Sequence, residues 1–438
     1  MVIFITLVAI IVVAFFVLSR KEKLPKSQNN RLNTGTIDDK NVKIVHVTDI
    51  HYLSPSLTDY GKSFVETIEK SDGKMMRHID QIMDAFVLEM IRTKPDLVIV
   101  SGDMTYNGEK ESHIGLANKF KLLKDKGIKV LVLPGNHDLE NEMALAFEGH
   151  TTRPVETVTI EEFEEIYKDY GYGKDDPDVV SRDKKSLNYV YQLGNKCHLI
   201  MVETSTKGND QTISNSSYRW IEKWLRKAKD MNMRVIGVSH QNILAHNKLF
   251  IAGYKITNSS RLVDLYNKYN VRINLSGHMH IQHMAEHKRV HDIALACLGL
   301  YPNLYGVLDM DLRNNMTYHT ESLDVAYWMK KYKHQDSDLL DFENTSREYF
   351  VRCTRLQTEK QLAKLDLSKE DKEMMMDFMV DTNIHYFSGS LDKRPDLSLD
   401  NPAYKLWMDH CERTFTGSYL NSIYTDTIGD HNMLEIFQ

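Results

Sequence analysis

The 438-residue sequence predicts an α/β protein: a largely parallel sheet packed on helices, antiparallel strands closing a second sheet, and a helical extension at the carboxyl end. Three observations predict it. Apolar β-branched runs alternate with amphipathic helical segments through the first two thirds of the chain. Five of those runs end abruptly in aspartate, histidine or asparagine. After about residue 324 the strand pattern stops, and segments rich in methionine and aromatic residues take over with helical spacing.

The amino end departs first. Residues 1–18 are apolar apart from Thr6 and are followed by Arg20, Lys21 and Lys23. A spanning helix needs roughly 17–25 apolar residues, and no small-residue cleavage site follows. The expectation is a single-pass N-terminal membrane anchor or uncleaved signal over residues 1–20, with residues 21–40 as a polar tether. A strand over 44–48 then runs into Asp49-Ile50-His51. A helix follows, with Ile79, Ile82, Met83, Phe86, Val87 and Met90 on one side, and ends at Lys94-Pro95. A strand over 96–101 runs into Gly102-Asp103. A second helix at about 112–126 carries Leu116, Phe120 and Leu123 on one face and stops at Gly127. The strand over 128–133 ends in Pro134-Gly135-Asn136-His137-Asp138.

Residues 140–186 break this rhythm. They are rich in Glu and Asp, hold one helical piece near 160–170, and read as a solvated excursion or a cap over a substrate. A hairpin over 187–193 and 197–203 turns at Gly194-Asn195. A helix with Trp220, Ile221, Trp224 and Leu225 on one side leads to the strand 234–239 and His240. A helix over 259–269 precedes the strand that ends in Ser276-Gly277-His278-Met279-His280. Residues 290–295, 304–312 and 316–319 read as antiparallel strands of the second sheet. In the extension, residues 325–438, the stripe of Met374, Met375, Phe378 and Met379 reads as packing.

The strand ends define a chemistry. They bring histidine nitrogen together with Asp and Asn oxygen, a donor set suited to Zn, Mn, Fe or Co. The four cysteines lie far apart with no CxxC pair, which argues against thiolate zinc. There are more such donors than one ion needs and enough for two. A hydroxide shared by two ions is a strong nucleophile at neutral pH. His137 is placed to protonate a leaving oxygen if Asp138 orients its ring. A formal net charge of −6 offers nothing to hold nucleic-acid phosphates, so no specific nucleic-acid binding is expected.

The order Asp49-Ile50-His51, Gly102-Asp103, Gly135-Asn136-His137-Asp138, His240, Gly277-His278-Met279-His280 resembles the calcineurin-like metallophosphoesterase superfamily over residues 41–322. The resemblance implies a two-sheet β-sandwich flanked by helices, with a dinuclear site at strand C-termini and a catalytic domain over 41–324. It implies a hydrolase of phosphoric esters, phosphodiester or phosphomonoester, using a hydroxide that bridges two divalent or trivalent ions (Mn, Fe or Zn). Asp49, His51, Asp103 and His280 would bind one ion. Asp103, Asn136, His240 and His278 would bind the other, with Asp103 bridging. His137 would be the phosphate-binding acid and Asp138 its partner. Gln241 stands where many relatives carry a second His or Asn. The expected partners are a phosphate-ester substrate and the membrane. The basic cluster after residue 18 favours a cytoplasmic catalytic part, whereas anchored hydrolases often face outward, and the outward side is preferred. The alternative is a catalytically idle, membrane-anchored binding scaffold of the same fold, which the loss of a ligand would favour. His46, His113, His283, His287 and His291 are expected to be solvated or structural, His283 being the best candidate for a supporting role behind the ligands.

Overall fold

The strand-forming runs assemble into two large sheets in a computed structural model of the protein, which describes residues 37–70, 73–206, 211–394, 398–426 and 429–437. Strands β1 (Val42–Val47), β2 (Leu97–Val100) and β3 (Lys129–Val132) lie parallel in the first sheet. A small hairpin, β4 (Leu145–Glu148) and β5 (Thr151–Pro154), stands apart. The second sheet takes β6 (Val179–Arg182), β7 (Tyr189–Leu193), β8 (Cys197–Val202), β9 (Arg234–Ser239), β10 (Ile273–Ser276), β11 (His283–His287) and β12 (Val290–Ala294). The chain then returns to the first sheet with β13 (Leu304–Met310), β14 (Met316–Ser322) and β15 (Met433–Ile436). The orders are β15-β14-β13-β1-β2-β3 and β11-β12-β10-β9-β8-β7-β6.

Ile44, Val98 and Leu131 of the first sheet share one buried cluster with Leu199, Ile236 and Leu275 of the second, so the main core lies between the sheets. Helices α1 (Ile79–Thr93) and α2 (Lys110–Lys124) add Phe86 and Phe120 to it. Within residues 140–186, α3 (Ile160–Ile166) adds Phe163. Against the second sheet, α4 (Asn215–Asp230) and α5 (Ser259–Lys268) bury Trp224, Leu225, Leu262 and Tyr266 with Ile200 and Val235. Helices thus cover both sheets, as apolar strands buried on two faces require.

Three differences from expectation have physical causes. The runs at 290–295, 304–312 and 316–319 do not share a sheet: β12 lies parallel to β10, whereas β13 pairs antiparallel with β1. Strand periodicity says which face is buried and not which edge is joined. Residues 140–186 are more than a solvated excursion. Tyr167, Tyr170 and Tyr172 are buried in the main core, and Phe147 packs on Phe64 and Ile68. The extension is helical, with α6 (Val325–Tyr332), α7 (Phe342–Leu362), α8 (Lys369–Phe387), α9 (Pro402–Cys411) and α10 (Phe415–Tyr424), but it ends in β15 paired with β14. Met375, Phe378 and Met379 pack with Trp407 and Leu420, so that stripe is core. The same cluster takes in Met279 and Ile281, which flank His280. The four cysteines are buried and none forms a disulfide.

The expected single-pass anchor requires correction. Residues 1–36, on which it fell, lie outside the described residues, and no helix among the described residues is long and apolar enough to cross a membrane. The longest, α7, is interrupted by Glu343, Arg347, Glu348, Arg352 and Arg355. Neither membrane attachment nor a side of a membrane therefore has support.

Candidate metal centre

Parallel strands deliver their carboxyl ends to one rim, where the following turns can converge. Here β1, β2 and β3 of one sheet and β9 and β10 of the other do so. The turns are laced together by backbone hydrogen bonds: Asp49 N donates to Gly102 O at 3.0 Å, His51 N to Asp103 O at 2.9 Å, and Gly277 N to His240 O at 3.0 Å. Asp49, His51, Asp103, His278 and His280 all adopt positive φ, between 46° and 69°. Left-handed backbone at a non-glycine residue costs of order 1–3 kcal/mol and persists where surrounding structure imposes it. Two glycines make room for the ligands. A Cβ at Gly135 would overlap the Asp103 carboxylate, and one at Gly277 would overlap Thr48 Oγ1 and Asp49 Oδ2.

The side chains gather into two groups that share Asp103. Donor atoms of Asp49, His51, Asp103 and His280 lie within 4.8 Å of one another, as do those of Asp103, His240 and His278. In the first group His51 Nε2 is 3.0 Å from His280 Nε2, which is 3.2 Å from Asp49 Oδ1. In the second, His240 Nε2 is 3.2 Å from Asp103 Oδ2, 3.1 Å from Asn136 Oδ1 and 3.2 Å from His278 Nδ1. All seven residues expected to bind metal are therefore brought together.

Hydrogen bonds behind these side chains set which atom points inward. His240 Nδ1 donates to Ser101 O at 3.0 Å and His278 Nε2 to Gly253 O at 2.9 Å, leaving the opposite ring nitrogens as lone-pair donors toward the centre. Asp49 Oδ2 accepts from His278 N and Thr48 Oγ1, both at 2.9 Å, while its buried Oδ1 receives no hydrogen bond. Burial opposes ionisation of Asp103, but the His240 imidazole outweighs it and holds the carboxyl well below the usual range. Burial, then the Lys74 charge, keeps His51 neutral, and burial with His240 pushes His278 down to about 4. His240 goes the other way. Burial works against its charge, yet Asp103 and Asp49 raise it to about 9. Ionised carboxylates, imidazole nitrogens facing each other at 3.0–3.2 Å, and a buried oxygen without a donor would be resolved by cations placed among them. The donor set fits the two ions that the fold implies.

His137 sits at the rim with its side chain 35% exposed. Its Nδ1 lies 2.8 Å from Tyr106 O and 2.9 Å from Asn107 Oδ1, and its Nε2 is 3.9 Å from Asp103 Oδ2. Tyr106 and Asn107, which spacing did not reveal, thus orient the ring. Asp138 does not. Its carboxylate accepts from the amides of Gly135, Met104 and Thr105 and from Thr105 Oγ1, at 2.8–3.2 Å, and so fastens the β3 turn to the β2 turn. His113, expected to be solvated or structural, supports the same turn through Asp138 O at 2.8 Å. His46 is buried against Ser101 Oγ at 2.8 Å. Gln241 is buried and accepts from Thr204 and Ser205. His283 lies in a separate cluster with His246 and His431.

A family model described as calcineurin-like phosphoesterase matches residues 42–282, more than half of the chain. The chain belongs to the calcineurin-like phosphoesterase family. A second model, the C-terminal domain of cyclic nucleotide phosphodiesterase, matches residues 324–430. Among curated relatives, the "Probable glycerophosphodiester phosphodiesterase GpdQ" of Arcobacter nitrofigilis is 24% identical over 300 residues, 66% of this chain and 89% of its own. A "Probable cyclic nucleotide phosphodiesterase" of Xenorhabdus bovienii is 23% identical over 255 residues, 57% of this chain and 83% of its own. Of solved structures, a dimetal phosphatase from Danio rerio is similar at 12% identity and a TM-score of 0.46, covering 64% of this chain and 96% of that one.

Proposed function

We propose that the protein is a metal-dependent hydrolase of phosphodiesters that works with two ions at this centre. The observation that carries the reading is the pair of donor groups meeting at Asp103. Asp49, His51, Asp103 and His280 hold one ion, and Asp103, Asn136, His240 and His278 the other. Bound there, a pair of cations supplies Lewis acidity toward the phosphoryl oxygens and makes water acidic enough to act as a nucleophile near neutral pH. The chain's own part is to fix this geometry, through strained turns and hydrogen-bonded imidazoles, and to deliver a proton. His137 Nδ1 is held by Tyr106 O and Asn107 Oδ1, which leaves Nε2 to give a proton to the departing ester oxygen. The phosphodiesterase names of the relatives favour diesters over monoesters.

The experiment is turnover of bis(p-nitrophenyl) phosphate and p-nitrophenyl phosphate by protein stripped with chelator and then resupplied with Mn²⁺ or Zn²⁺. Activity should vanish on stripping and return with metal. His137→Ala should lower kcat by about 10²–10⁴-fold without loss of bound metal. Undiminished turnover by stripped protein would overturn the reading, and full activity in the His137 variant would remove its assigned role.

A further inference from the structure

Two backbone carbonyls hold the imidazoles of the second ion position, and they belong to different parts of the fold. His240 is held by Ser101 O, on a buried residue at the end of β2. His278 is held by Gly253 O at 2.9 Å, on an exposed stretch of the loop between β9 and α5. The base of that loop is stitched to the β10 turn. Asn242 N donates to Tyr254 O at 3.2 Å, Ile256 N to Asn242 O at 2.9 Å, and Asn242 Nδ2 to Gly277 O at 3.1 Å. The rest of the loop is fastened to the helical extension. Asn247 Nδ2 donates to the Tyr386 hydroxyl of α8 and to Ser422 Oγ of α10, both at 2.9 Å, and Lys248 Nζ donates to Thr425 O at 3.0 Å. Aromatic rings then run from α10 to the ligand. The Phe250 centroid lies 6.1 Å from that of Phe415, 6.2 Å from that of Tyr419 and 5.1 Å from that of Tyr254, which lies 5.3 Å from the His278 imidazole. Phe250 and Tyr254 are half-buried and pack on the apolar cluster of the extension.

We infer that the loop over 247–254 is a strut through which the helical extension positions His278, and so sets how tightly the second ion is held. Phe250 and Tyr254 are positioning residues: they fix the loop, and its Gly253 carbonyl fixes the imidazole that must present Nδ1 to the ion. Among the described residues no hydrogen bond joins this loop to Asp49, His51 or His280, so the strut acts on one ion of the two. The extension also packs on Met279 and Ile281, beside His280, so removing all of it would disturb both ions, whereas a substitution in the loop separates them. The inference rests on the two-ion reading of the centre.

The test is calorimetric titration of full-length, chelator-stripped protein with Mn²⁺, which should show two binding events. Phe250→Ala should weaken one of them about 2- to 30-fold, the range of couplings carried through packed side chains, and leave the other as it was. Phe250→Tyr keeps the ring and should restore the affinity. His278→Ala is the reference: the event that remains in it should not respond to adding Phe250→Ala, because substitutions along one path do not add. Gly253→Ala tests the same path should the Phe250 variant fail to fold. The glycine has φ +85° and open space where a Cβ would go, so only the course of the backbone changes, and the same ion should be held about 10- to 100-fold more weakly. A lower Tm with both affinities intact, equal weakening of both ions, or an undiminished Phe250 effect in the His278→Ala background would overturn the inference. Two ions bound in the expected pattern without turnover of bis(p-nitrophenyl) phosphate would overturn the hydrolase reading alone, and fewer than two ions in the unaltered protein would overturn both.

Discussion

Two buried histidine clusters stand side by side in this protein, and only one has the marks of a metal site. Around Asp103, five ligating residues sit in left-handed backbone, and donor atoms converge on two points. Around Asp292, His246 Nδ1 and His283 Nδ1 are likewise 3.0 Å apart, His246 Nε2 is 3.3 Å from Asp292, His283 Nε2 is 3.2 Å from Asp426, and His431 stacks on His283 at 4.0 Å. Yet none of these residues has a positive φ, and among the described residues no third donor atom joins the pair. The Asp292 oxygens are already filled, accepting from Ile243 N, Leu244 N, Asn274 Nδ2 and Ser276 Oγ at 2.6–2.9 Å. Burial and residue type are shared. Convergence and backbone strain are what separate a site from a seam.

The sharpest way to break this comparison is to remove one carboxylate from each cluster. Asp103→Asn takes a donor from both proposed ion positions and should cut turnover on the order of 10³-fold, with loss of bound metal, since several kcal/mol of charge stabilisation go with it. Asp292→Asn should leave metal content and turnover nearly unchanged and instead lower Tm, because a hydrogen-bonded buried charge is worth ~1.5–3 kcal/mol. Metal analysis and calorimetric melting of both variants decide it. Loss of metal from the Asp292 variant would erase the distinction.

A second test works through space rather than charge. Ala at Gly277 must push on Thr48 and on the Asp49 carboxylate, so ligand geometry shifts with every ligand still present. The expected cost is ~1–3 kcal/mol of stability and about 10–100-fold in metal affinity, the size seen when groups supporting a ligand are lost. Equilibrium metal titration should show it. An affinity equal to that of the unaltered protein would mean that the β10 turn adjusts freely.

The two clusters also differ in how far they were legible in the sequence. Asp49, His51, Asp103, Asn136, His240, His278 and His280 each close an apolar run. Parallel strands bring their carboxyl ends to one rim wherever each lies in its sheet, so the donor group could be assembled without knowing the strand order. The order itself was not legible. Residues 304–310 pair with β1 rather than β12, and β15 is four residues long and far away in sequence. Adjacency to His137 suggests that Asp138 touches its ring, whereas the tight β3 turn aims the two side chains apart, one at the site and the other at the amides of Gly135, Met104 and Thr105. Tyr106 and Asn107 carry no signal of their own, since the first acts through a backbone carbonyl. The His246–His283–His431 seam joins segments up to 185 residues apart with no common pattern.

The smallest effect belongs to the seam. Burial holds the His283 imidazole down at about 4, against roughly 6.5 in an unfolded chain. The folded state therefore binds this proton less well than the unfolded state does. The stability tied to neutral His283 is intact above about pH 6.5 and drains away as pH falls toward 4, at ~1.4 kcal/mol per unit. His113 and His198, which burial also pushes down to about 4, have the same sign and lie outside the seam, so the protein should melt lower at pH 5.5 than at 7 through all such buried histidines. His283→Gln removes one of these groups. Its Tm should fall less over that interval, by about 1–3 °C, while metal content at pH 7 stays as it was. An unchanged slope would show that the acid sensitivity of the seam does not pass through His283. A change in metal content would tie the seam to the centre after all.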